Sequence, residues 1–512
     1  MNGAIDHEVL IVGAGIAGIG LGIKLRERGL RDFVILDKAD DIGGTWRDHT
    51  YPGLTIDIPS LTFCFSFEQR SNWSSIWAPQ PEMLDYLHHC VTKYGIRGHC
   101  RFGEEVVESR YDPDRNLWRT QTAAGRIWTS RFLVNGSGYF AAPRMPDIEG
   151  MDRFEGQVVH PSRWPADLDL AGKRVAFIGT GATGIQLAPK LAPSAGRLHV
   201  FQRTPAWLLP KPALLVPPPV QRLFRYVPGF QRALRLLVFL LMDVGFYRIY
   251  TDYPRVRWIP KLAERICRRH IQRNVHDPDL VERLTPNYTW GCKRPSFSAD
   301  FYPMFNRDTV ELVTDRITSL EPDAIVTADG IKREIDVLVC ATGYAPFEKL
   351  TLPTYPVRGR DGIDLREFWD AERYQGYRGF AAHGYPNFFF IFGPYSIIGT
   401  SYFAMVEIAA RHIVGCIEAA RRAGSGYVEV SREAQAVEFA EIQRRKPRSL
   451  FSAANCGPAR TFYVDRFGDS PGFRPWLHPT AWWQSRRLNL RDFRVDRPAP
   501  ATPIDRTSRS RR

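Results

Sequence analysis

Residues 9–18 read VLIVGAGIAG, and residues 175–184 read VAFIGTGATG. Each stretch places four apolar residues, typical of a buried parallel strand, before a Gly-x-Gly-x-x-Gly motif that opens a helix. In such a motif the glycines allow a tight turn, a close approach of the backbone to a pyrophosphate, and close packing of helix on strand. One copy is a weak signal, but two in the same frame predict an α/β protein with two Rossmann-like dinucleotide-binding domains.

The residue that ends the second strand of each unit distinguishes the two dinucleotides, because it faces the ribose 2′ position. In the first unit this residue is Asp37, 19 positions after Gly18, and its carboxylate would accept hydrogen bonds from free ribose hydroxyls. In the second unit it is Arg203, 19 positions after Gly184, and its guanidinium would pair with a 2′-phosphate. The first site is therefore predicted to bind FAD and the second NADPH. The alternative is that both residues are ordinary charges at strand ends.

Apolar runs bounded by turns predict the remaining organisation. Residues 1–140 are expected to form the first part of the FAD-binding domain, and residues 145–342 the NADPH-binding domain, interrupted by a helical insertion at about 206–275. Residues 343–496 are expected to return to the FAD-binding domain, with a strand at 387–394 and a helix from about Tyr402. The tail 497–512, rich in Pro, Ser, Thr and Arg, is expected to be a disordered basic tail.

The net charge of +14 is concentrated in two places. Residues 211–275 hold 13 Lys and Arg against three acidic residues, and the tail 497–512 holds five Arg against one Asp, giving +10 and +4. Leu, Val, Phe and Trp are interspersed in the first segment, which predicts an amphipathic helical insertion and no nucleic-acid surface. Contact of residues 211–275 with an anionic membrane surface is one interpretation. A packed helical cap with solvated arginines is the other.

The length of the apolar runs and the spacing of the cysteines indicate in which cellular compartment the protein is expected. The longest apolar run, from Leu236 to Met242, is too short to span a bilayer, and residues 1–8 lack the basic start of a signal peptide. The eight cysteines never fall within four residues of one another, so neither a metal site nor a disulfide framework is predicted. This scatter argues against the disulfide reductases, which need a vicinal pair, and favours a cytoplasmic protein.

Three further motifs carry a resemblance to a known family. The first is Phe154-x-Gly156-x-x-x-His160-x-x-x-Trp164-Pro165; the second is Gly44-x-Trp46-x-x-x-x-Tyr51-Pro52-Gly53-x-x-x-Asp57; the third is Lys293-Arg294-Pro295 followed by Tyr302 and Phe305-Asn306-Arg307-Asp308. Together they resemble the signatures of type I Baeyer–Villiger monooxygenases, over nearly the whole chain from Val9 to about Phe392. The resemblance implies an enzyme that uses FAD, NADPH and O₂ to form an anionic peroxyflavin. That species would insert one oxygen atom beside the carbonyl of a small hydrophobic ketone, giving an ester or lactone.

The glycine motifs and the resemblance together give the predicted cofactor contacts. Those for FAD are Gly13, Gly15, Gly18, Asp37, Gly44, Thr45, Trp46, Asp57 and Val106. Those for NADPH are Gly179, Thr180, Gly181, Ala182, Thr183, Gly184, Arg203, Thr204 and Lys293. By resemblance, Lys293 helps Arg203 and Thr204 to hold the 2′-phosphate.

Arg294 and Asp57 are the predicted catalytic residues. A peroxide attacks a ketone carbonyl as a nucleophile only while it is anionic, and a fixed cation both holds it deprotonated and stabilises charge on the adduct. Arg294 suits this task because a guanidinium does not lose its proton, and Asp57 would orient it. The alternative is that the two form an ordinary structural ion pair.

Two other segments have two interpretations each. His160, in the motif with Phe154, Gly156 and Trp164, is expected to couple the two domains, with direct catalysis as the alternative. Gly393-Pro394, with Tyr395 and Phe403, resembles the wall of the family's substrate pocket, although these aromatics are equally compatible with a plain core.

Some positions depart from the family pattern. Leu54-Thr55-Ile56 stand where cyclic-ketone enzymes often have a basic residue beside the Asp, and Phe462-Tyr463 and Trp476 follow the aromatic pattern only loosely, so the substrate class stays open. The main alternative function is a flavin-containing monooxygenase that oxygenates sulfur or nitrogen with a protonated hydroperoxide. Trp164-Pro165 favours the Baeyer–Villiger reaction. A membrane-binding protein with a decayed redox site is a third hypothesis, and the intact glycine motifs, Asp57 and Arg294 argue against it.

Overall fold

The computed structural model describes residues 5–140, 143–344, 352–399 and 401–496. The predicted basic tail 497–512 lies outside the described residues. The strands are, in chain order, β1 (His7–Val12), β2 (Phe33–Leu36), β3 (Cys100–Arg101), β4 (Val106–Asp112), β5 (Leu117–Thr122), β6 (Ile127–Asn135), β7 (Gln157–Val159), β8 (Arg174–Ile178), β9 (Arg197–Phe201), β10 (Leu208–Leu209), β11 (Ser296–Phe297), β12 (Val310–Val313), β13 (Ile317–Glu321), β14 (Ala324–Thr327), β15 (Lys332–Glu334), β16 (Val337–Cys340), β17 (Val357–Arg358), β18 (Phe388–Phe390), β19 (Glu429–Val430) and β20 (Phe493–Arg494).

The α-helices are α1 (Ile16–Glu27), α2 (Thr45–Asp48), α3 (Gln80–Lys93), α4 (Ala182–Leu191), α5 (Pro218–Tyr226), α6 (Phe230–Met242), α7 (Arg248–Val256), α8 (Trp258–Asn274), α9 (Pro278–Leu284), α10 (Leu365–Glu372), α11 (Tyr402–Arg422), α12 (Arg432–Arg445), α13 (Leu450–Ala453) and α14 (His478–Arg486). A π-helical turn, Asp243–Tyr247, joins α6 to α7. The strand expected at 387–394 and the helix expected from about Tyr402 are both confirmed, as β18 and α11.

The first sheet forms around the first glycine motif. Its parallel strands lie in the order β3-β2-β1-β6-β18, in which β18 pairs with the second half of β6. This is the strand order of a dinucleotide-binding fold. The first half of β6 continues instead into the antiparallel pairs β5 and β4, with β17 at the edge. Helices α1 and α11 pack together on one face of the sheet and bury the residues of β1 and β2 that point to that face, Val9, Ile11, Phe33 and Ile35.

The second sheet repeats this plan around the second glycine motif. All five strands are parallel, in the order β12-β9-β8-β16-β7. A small antiparallel sheet, β13-β14-β15, lies between β12 and β16 in the chain, as β4 and β5 lie between β3 and β6 in the first unit. The fold class predicted from the sequence, two Rossmann-like units in an α/β chain, is confirmed.

The segment expected to be a helical insertion holds α5, α6, α7 and α8, between β10 and β11. Apolar residues of α7 and α8 pack against the segment around Tyr288 to Cys292 and against Leu450 of α13. The insertion therefore has a core of its own, and it contacts both the second unit and the C-terminal part of the chain.

Two cysteines correct the prediction. A disulfide joins Cys292 to Cys456, with Cα atoms 5.3 Å apart and a sequence separation of 164 residues. The sequence predicted no disulfide framework, and this bond corrects that prediction, because spacing along the chain carries no information on contacts between such distant segments. The bond ties the residue directly before Lys293-Arg294 to the C-terminal part. Since structural disulfides persist in oxidising compartments, the cysteines do not support a cytoplasmic location.

Candidate active site

The three glycines of the first motif have separate structural tasks. Gly13 has φ +104°, a conformation that side chains rarely adopt, and a Cβ on Gly18 would lie 2.0 Å from the carbonyl oxygen of Gly13. Gly15, which precedes α1, differs: its backbone is extended, and a Cβ there would contact only the backbone of Gly44, no closer than 3.7 Å. The chain itself therefore does not require Gly15 to lack a side chain. The open space at the start of α1 fits a pyrophosphate group.

Asp37 lies where predicted, directly after β2. Its side chain is buried, and it accepts hydrogen bonds from the backbone N–H of Ala14 (2.6 Å) and of Ala39 (3.0 Å). Arg47 approaches the same carboxylate at 3.6 Å. Asp37 is thus fixed beside the glycine turn, at the end of β2 where a ribose would lie.

Of the remaining predicted contacts of the first site, Gly44 lies directly against this turn. A Cβ on Gly44, which has φ +52°, would lie 3.2 Å from the Cα of Gly15, so the two glycines bring their backbones together. Thr45 and Trp46 begin α2, and the Trp46 ring meets Phe63 edge-on. Val106 starts β4 and is buried in the core shared with β1 and β2.

The second motif repeats the geometry of the first. Gly179 has φ +108°, and Cβ atoms on Gly179 and Gly184 would lie 2.3 Å and 2.2 Å from backbone oxygens. A Cβ on Gly181, at the start of α4, would have no atom within 4 Å. Thr180, Ala182 and Thr183 complete the turn and the first residues of α4. Here too the only glycine with free space is the one that faces the predicted pyrophosphate.

The three residues predicted to hold the 2′-phosphate come together. Arg203 follows β9 and is exposed, and Lys293 donates a hydrogen bond from Nζ to the carbonyl oxygen of Thr204 (3.3 Å). Burial, and next the charge of Arg203, lower the pKa of Lys293 to about 8. Neither cation has an acidic partner among the residues that the structure describes, and two such adjacent cations fit a dianionic ligand.

Arg294 and Asp57 form an ion pair, with Nη2 and Oδ1 2.7 Å apart. The pair joins the segment after Cys292 to the motif of the first unit, 237 residues away in the chain. The Arg294 side chain is 42% exposed, so the guanidinium lines an open cleft while Asp57 fixes one side of it. The Asp57 charge is the main cause that raises the pKa of Arg294 above its ordinary value, which keeps the guanidinium charged.

Sequence reasoning missed several neighbours of this pair. The buried hydroxyls of Tyr463 and Tyr250 interact with the charge of Arg294, which acts to lower their pKa values against the larger effect of burial. Lys211 Nζ donates to Thr55 Oγ1 (2.5 Å); burial lowers the pKa of Lys211, and the nearby Asp57 charge partly opposes this shift. Lys211 thus supplies a cation near Asp57, although the neighbouring Leu54-Thr55-Ile56 are uncharged. Only Tyr463 had a sequence signal, the loosely matched aromatic pattern.

The segment that carries Asp57 is anchored on α4 of the second unit. The Gln186 side chain exchanges hydrogen bonds with the backbone N–H and carbonyl of Thr55, both 3.2 Å. Tyr51 is buried in the core of the second unit, and its hydroxyl interacts with Thr183. Asp57 is therefore positioned by contacts with the helix that begins at the second glycine motif.

The linker motif lies at the same junction. Phe154 and Trp164 pack into the core of the second unit, and a Cβ on Gly156 would lie 2.5 Å from the carbonyl oxygen of Asp336. His160 Nδ1 meets Ser162 Oγ at 2.7 Å, and its ring stands edge-on to Tyr344.

A second histidine completes this junction. The Tyr344 hydroxyl lies 2.6 Å from Nε2 of His49, a residue of the first unit. Burial lowers the pKa of His160, and it lowers the pKa of His49 to about 4, so neither ring is held in its charged form. These contacts are compatible with the predicted role of His160 in coupling the two domains, which stays a prediction.

The two aromatics of the predicted pocket wall are core residues. Phe403 is fully buried and packs edge-on against Phe65 and Phe63, and Tyr395 is buried with Ile442 and Trp476. Among the described residues, no three His, Cys, Asp or Glu side chains are grouped as a metal ion would require.

Comparison with known proteins gives consistent matches. A family model described as pyridine nucleotide-disulphide oxidoreductase matches residues 10–227. The chain is 35% identical to a Baeyer–Villiger monooxygenase of Pseudomonas aeruginosa over 482 residues, covering 94% of this chain and 89% of that protein. It is 33% identical to a Baeyer–Villiger monooxygenase of Streptomyces coelicolor over 501 residues, covering 97% and 94%.

Solved structures match over the same length. Cyclohexanone monooxygenase from Rhodococcus sp. Phi1 bound to NADP+ aligns with a TM-score of 0.85 at 27% identity, covering 96% of this chain and 100% of that one. OTEMO in complex with FAD and NADP aligns with a TM-score of 0.82 at 26% identity, covering 96% and 100%.

Proposed function

Because this chain belongs to the Baeyer–Villiger monooxygenase family, we propose that it inserts one oxygen atom from O₂ beside the carbonyl of a small hydrophobic ketone, giving an ester or lactone. It is an FAD monooxygenase that uses NADPH. When bound, the flavin supplies the redox chemistry, taking a hydride from NADPH and reacting with O₂. The protein residues bind both cofactors, orient the reactants and stabilise charge.

The observation that carries this proposal is the Arg294–Asp57 pair. A ketone carbonyl is an electrophile, so the oxygen that attacks it must carry negative charge, and the carbonyl oxygen becomes negative as the bond forms. A permanently charged guanidinium held by one carboxylate, and otherwise open to a cleft, stabilises both charges. Oxidation of sulfur or nitrogen requires the opposite polarity, an electrophilic oxygen, and gains little from a nearby cation.

The cofactor sites follow from the glycine geometry. A side chain at Gly15 or Gly181 would not clash with the rest of the protein, but it would occupy the space that a ligand needs. Each glycine stands at the start of a helix, where backbone N–H groups favour a pyrophosphate. We assign FAD to the first site with Asp37 on its ribose, and NADPH to the second, with Arg203, Thr204 and Lys293 on its 2′-phosphate.

The reaction is tested by measuring NADPH consumption under air with a panel of cyclic, linear and aryl ketones and of sulfides, with identification of the products. Esters or lactones formed in step with NADPH oxidation are expected for at least one ketone class. Sulfoxide as the only oxygenated product, with no ester from any ketone, would instead favour the heteroatom monooxygenase.

Arg203→Ala is expected to raise the apparent KM for NADPH by roughly 10- to 100-fold, because a charge-assisted pair with a phosphate is worth about 1.5–3 kcal/mol. The apparent KM for NADH should change little, since NADH has no 2′-phosphate. Arg197→Ala, at the other end of β9, is the matched control and should leave the NADPH constant unchanged. Equal losses with both nucleotides would contradict the assignment.

Lys293 should make NADPH binding sensitive to pH. Its pKa is lowered to about 8, so the amine is protonated and binds the phosphate below this pH, and it loses its charge as the pH rises above it. The apparent KM for NADPH should therefore rise by roughly tenfold between about pH 7.5 and about pH 9.5, with little change for NADH. Lys293→Arg, which stays charged, should abolish this rise. The same pH profile in Lys293→Arg and wild type would assign the effect to another group.

A further inference from the structure

Helix α6 is packed with its polar side inward. Its buried positions, four residues apart, are Gln231, Arg235 and Phe239, and the stripe continues to the buried Asp243 of the π-helical turn. Its exposed positions include Leu236, Leu237, Leu240 and Leu241, which we call the α6 outer face and whose exposed fractions run from 42% to 62%. A helix at an ordinary protein surface shows the reverse arrangement, with its leucines inside.

Hydrogen bonds fix α6 in this orientation. Gln231 Nε2 donates to the carbonyl oxygen of Arg70 (2.8 Å), and Arg235 Nη1 donates to the carbonyl oxygen of Leu61 (2.8 Å). Turning the helix to bury the leucines would break these bonds and expose the groups that they satisfy, at a cost of about 1–3 kcal/mol for each one left unsatisfied. The outward leucines are therefore a property of the fold.

Helices that contact α6 also expose the residue types of a lipid interface. Phe224 of α5 stacks on Phe230, and α5 exposes Leu223 and Tyr226. His478 contacts the buried Phe239 on the inner side of α6 and begins α14, which exposes Trp482 and Trp483. Arg486 and Arg487 stack on these two tryptophans. Leucine, tryptophan and arginine around an apolar helix face are typical of proteins that lie in the interface of a bilayer.

Charge identifies the occupant of this surface. Arg222, Arg225 and Arg232 are exposed beside the α6 outer face, and residues 211–275 carry +10. A second copy of the chain, docked symmetrically, would place this charge against itself, whereas an anionic lipid surface complements both the charge and the leucines. The 13 residues of α6 span only about 20 Å, and no described helix has the length and apolar character to cross a bilayer.

We propose that this protein docks on anionic lipid surfaces, with the α6 outer face in the acyl boundary and the arginines of α5 and α6 on the headgroups. Helix α6 lies parallel to the surface, because its inner side is hydrogen-bonded to the body of the protein along its length. The proposal is independent of the substrate and of the reaction.

The experiment is co-sedimentation of the FAD-loaded full chain with vesicles of phosphatidylcholine alone or with about 30% phosphatidylglycerol, at low and high salt. The wild type should pellet with the anionic vesicles and be released by salt. Leu237→Gln/Leu241→Gln should lower the partition coefficient at least roughly tenfold, because the two exposed leucine side chains no longer enter the acyl region. Val437→Gln, which changes a 71% exposed valine of α12, is the matched control and should bind like the wild type.

The flavin content of each variant shows that it is folded, and sedimentation velocity gives its oligomeric state. No binding of the wild type to anionic vesicles would overturn the proposal. So would equal binding to neutral and anionic vesicles, or binding unaffected by Leu237→Gln/Leu241→Gln. A wild-type dimer that the double variant dissociates, without vesicle binding, would show that a second copy covers the face.

Discussion

Arg294→Ala is expected to lower the rate of ester formation at least roughly 10³-fold while the enzyme still binds FAD and is still reduced by NADPH. The reason is that hydride transfer requires only the geometry of the two cofactors, whereas attack on a ketone requires negative charge to be held on the reacting oxygens. Loss of this fixed cation, which Asp57 holds in place, removes several kcal/mol of stabilisation of the charge on the reacting oxygens, which sets the size of the effect. Sulfoxidation should suffer less, because there the oxygen acts as an electrophile.

Stopped-flow absorbance separates the two half-reactions, first under anaerobic conditions with NADPH and then after mixing with O₂, and product analysis on a ketone and a sulfide completes the test. Arg294→Lys is the matched variant: it keeps a charge but loses the planar fork that meets Asp57, so its activity should lie between those of wild type and Arg294→Ala. If Arg294→Ala formed ester at a near wild-type rate, Arg294 and Asp57 would have only a structural role.

The parts of the fold that could be predicted from sequence are those set by contiguous residues. A strand, a glycine turn and a helix lie within about 30 residues in each unit, and the first and third glycines of each motif have steric reasons within the chain, so both units were recognisable. Asp37 after β2 and Arg203 after β9 were predicted because each stands 19 positions after the third glycine of its motif. The long-range pairing of Arg294 with Asp57 came instead from the resemblance of separate motifs, since no local pattern links residues 237 apart.

What escaped prediction depends on contacts between distant segments. Tyr344 meets His49, Lys211 meets Thr55, and Cys292 is bonded to Cys456, and in each pair the residue type alone is uninformative. Helix α6 shows a further limit. Its apolar pattern reads as a helix with a buried leucine face, but Gln231 and Arg235 find backbone partners inside and so determine which side is buried. A hydrophobic pattern gives the period of a helix, and the partners of its polar residues decide the orientation.

The cofactor assignment makes a reciprocal prediction at Gly15 and Gly181. Gly15→Val should be obtained as folded but colourless protein, with FAD affinity lowered at least about 100-fold, because the side chain fills the space that the pyrophosphate needs. Gly181→Val should remain yellow and lose NADPH binding to a similar degree. Both residues have extended backbones that valine adopts readily, and a Cβ meets no atom closer than 3.7 Å at Gly15 and none within 4 Å at Gly181.

The steric difference between glycines of one motif provides the control. Gly18→Ala would place Cβ 2.0 Å from the carbonyl oxygen of Gly13, so this variant should fail to fold, whereas both valine variants should give wild-type circular dichroism. The ratio of absorbance at the flavin band to that at 280 nm gives the FAD content, and titration with NADP+ gives the second affinity. Loss of flavin in Gly181→Val with full retention in Gly15→Val would mean that the two sites are exchanged. Retention of both cofactors in both variants would mean that neither helix start holds a pyrophosphate, because the chain itself offers room for either side chain.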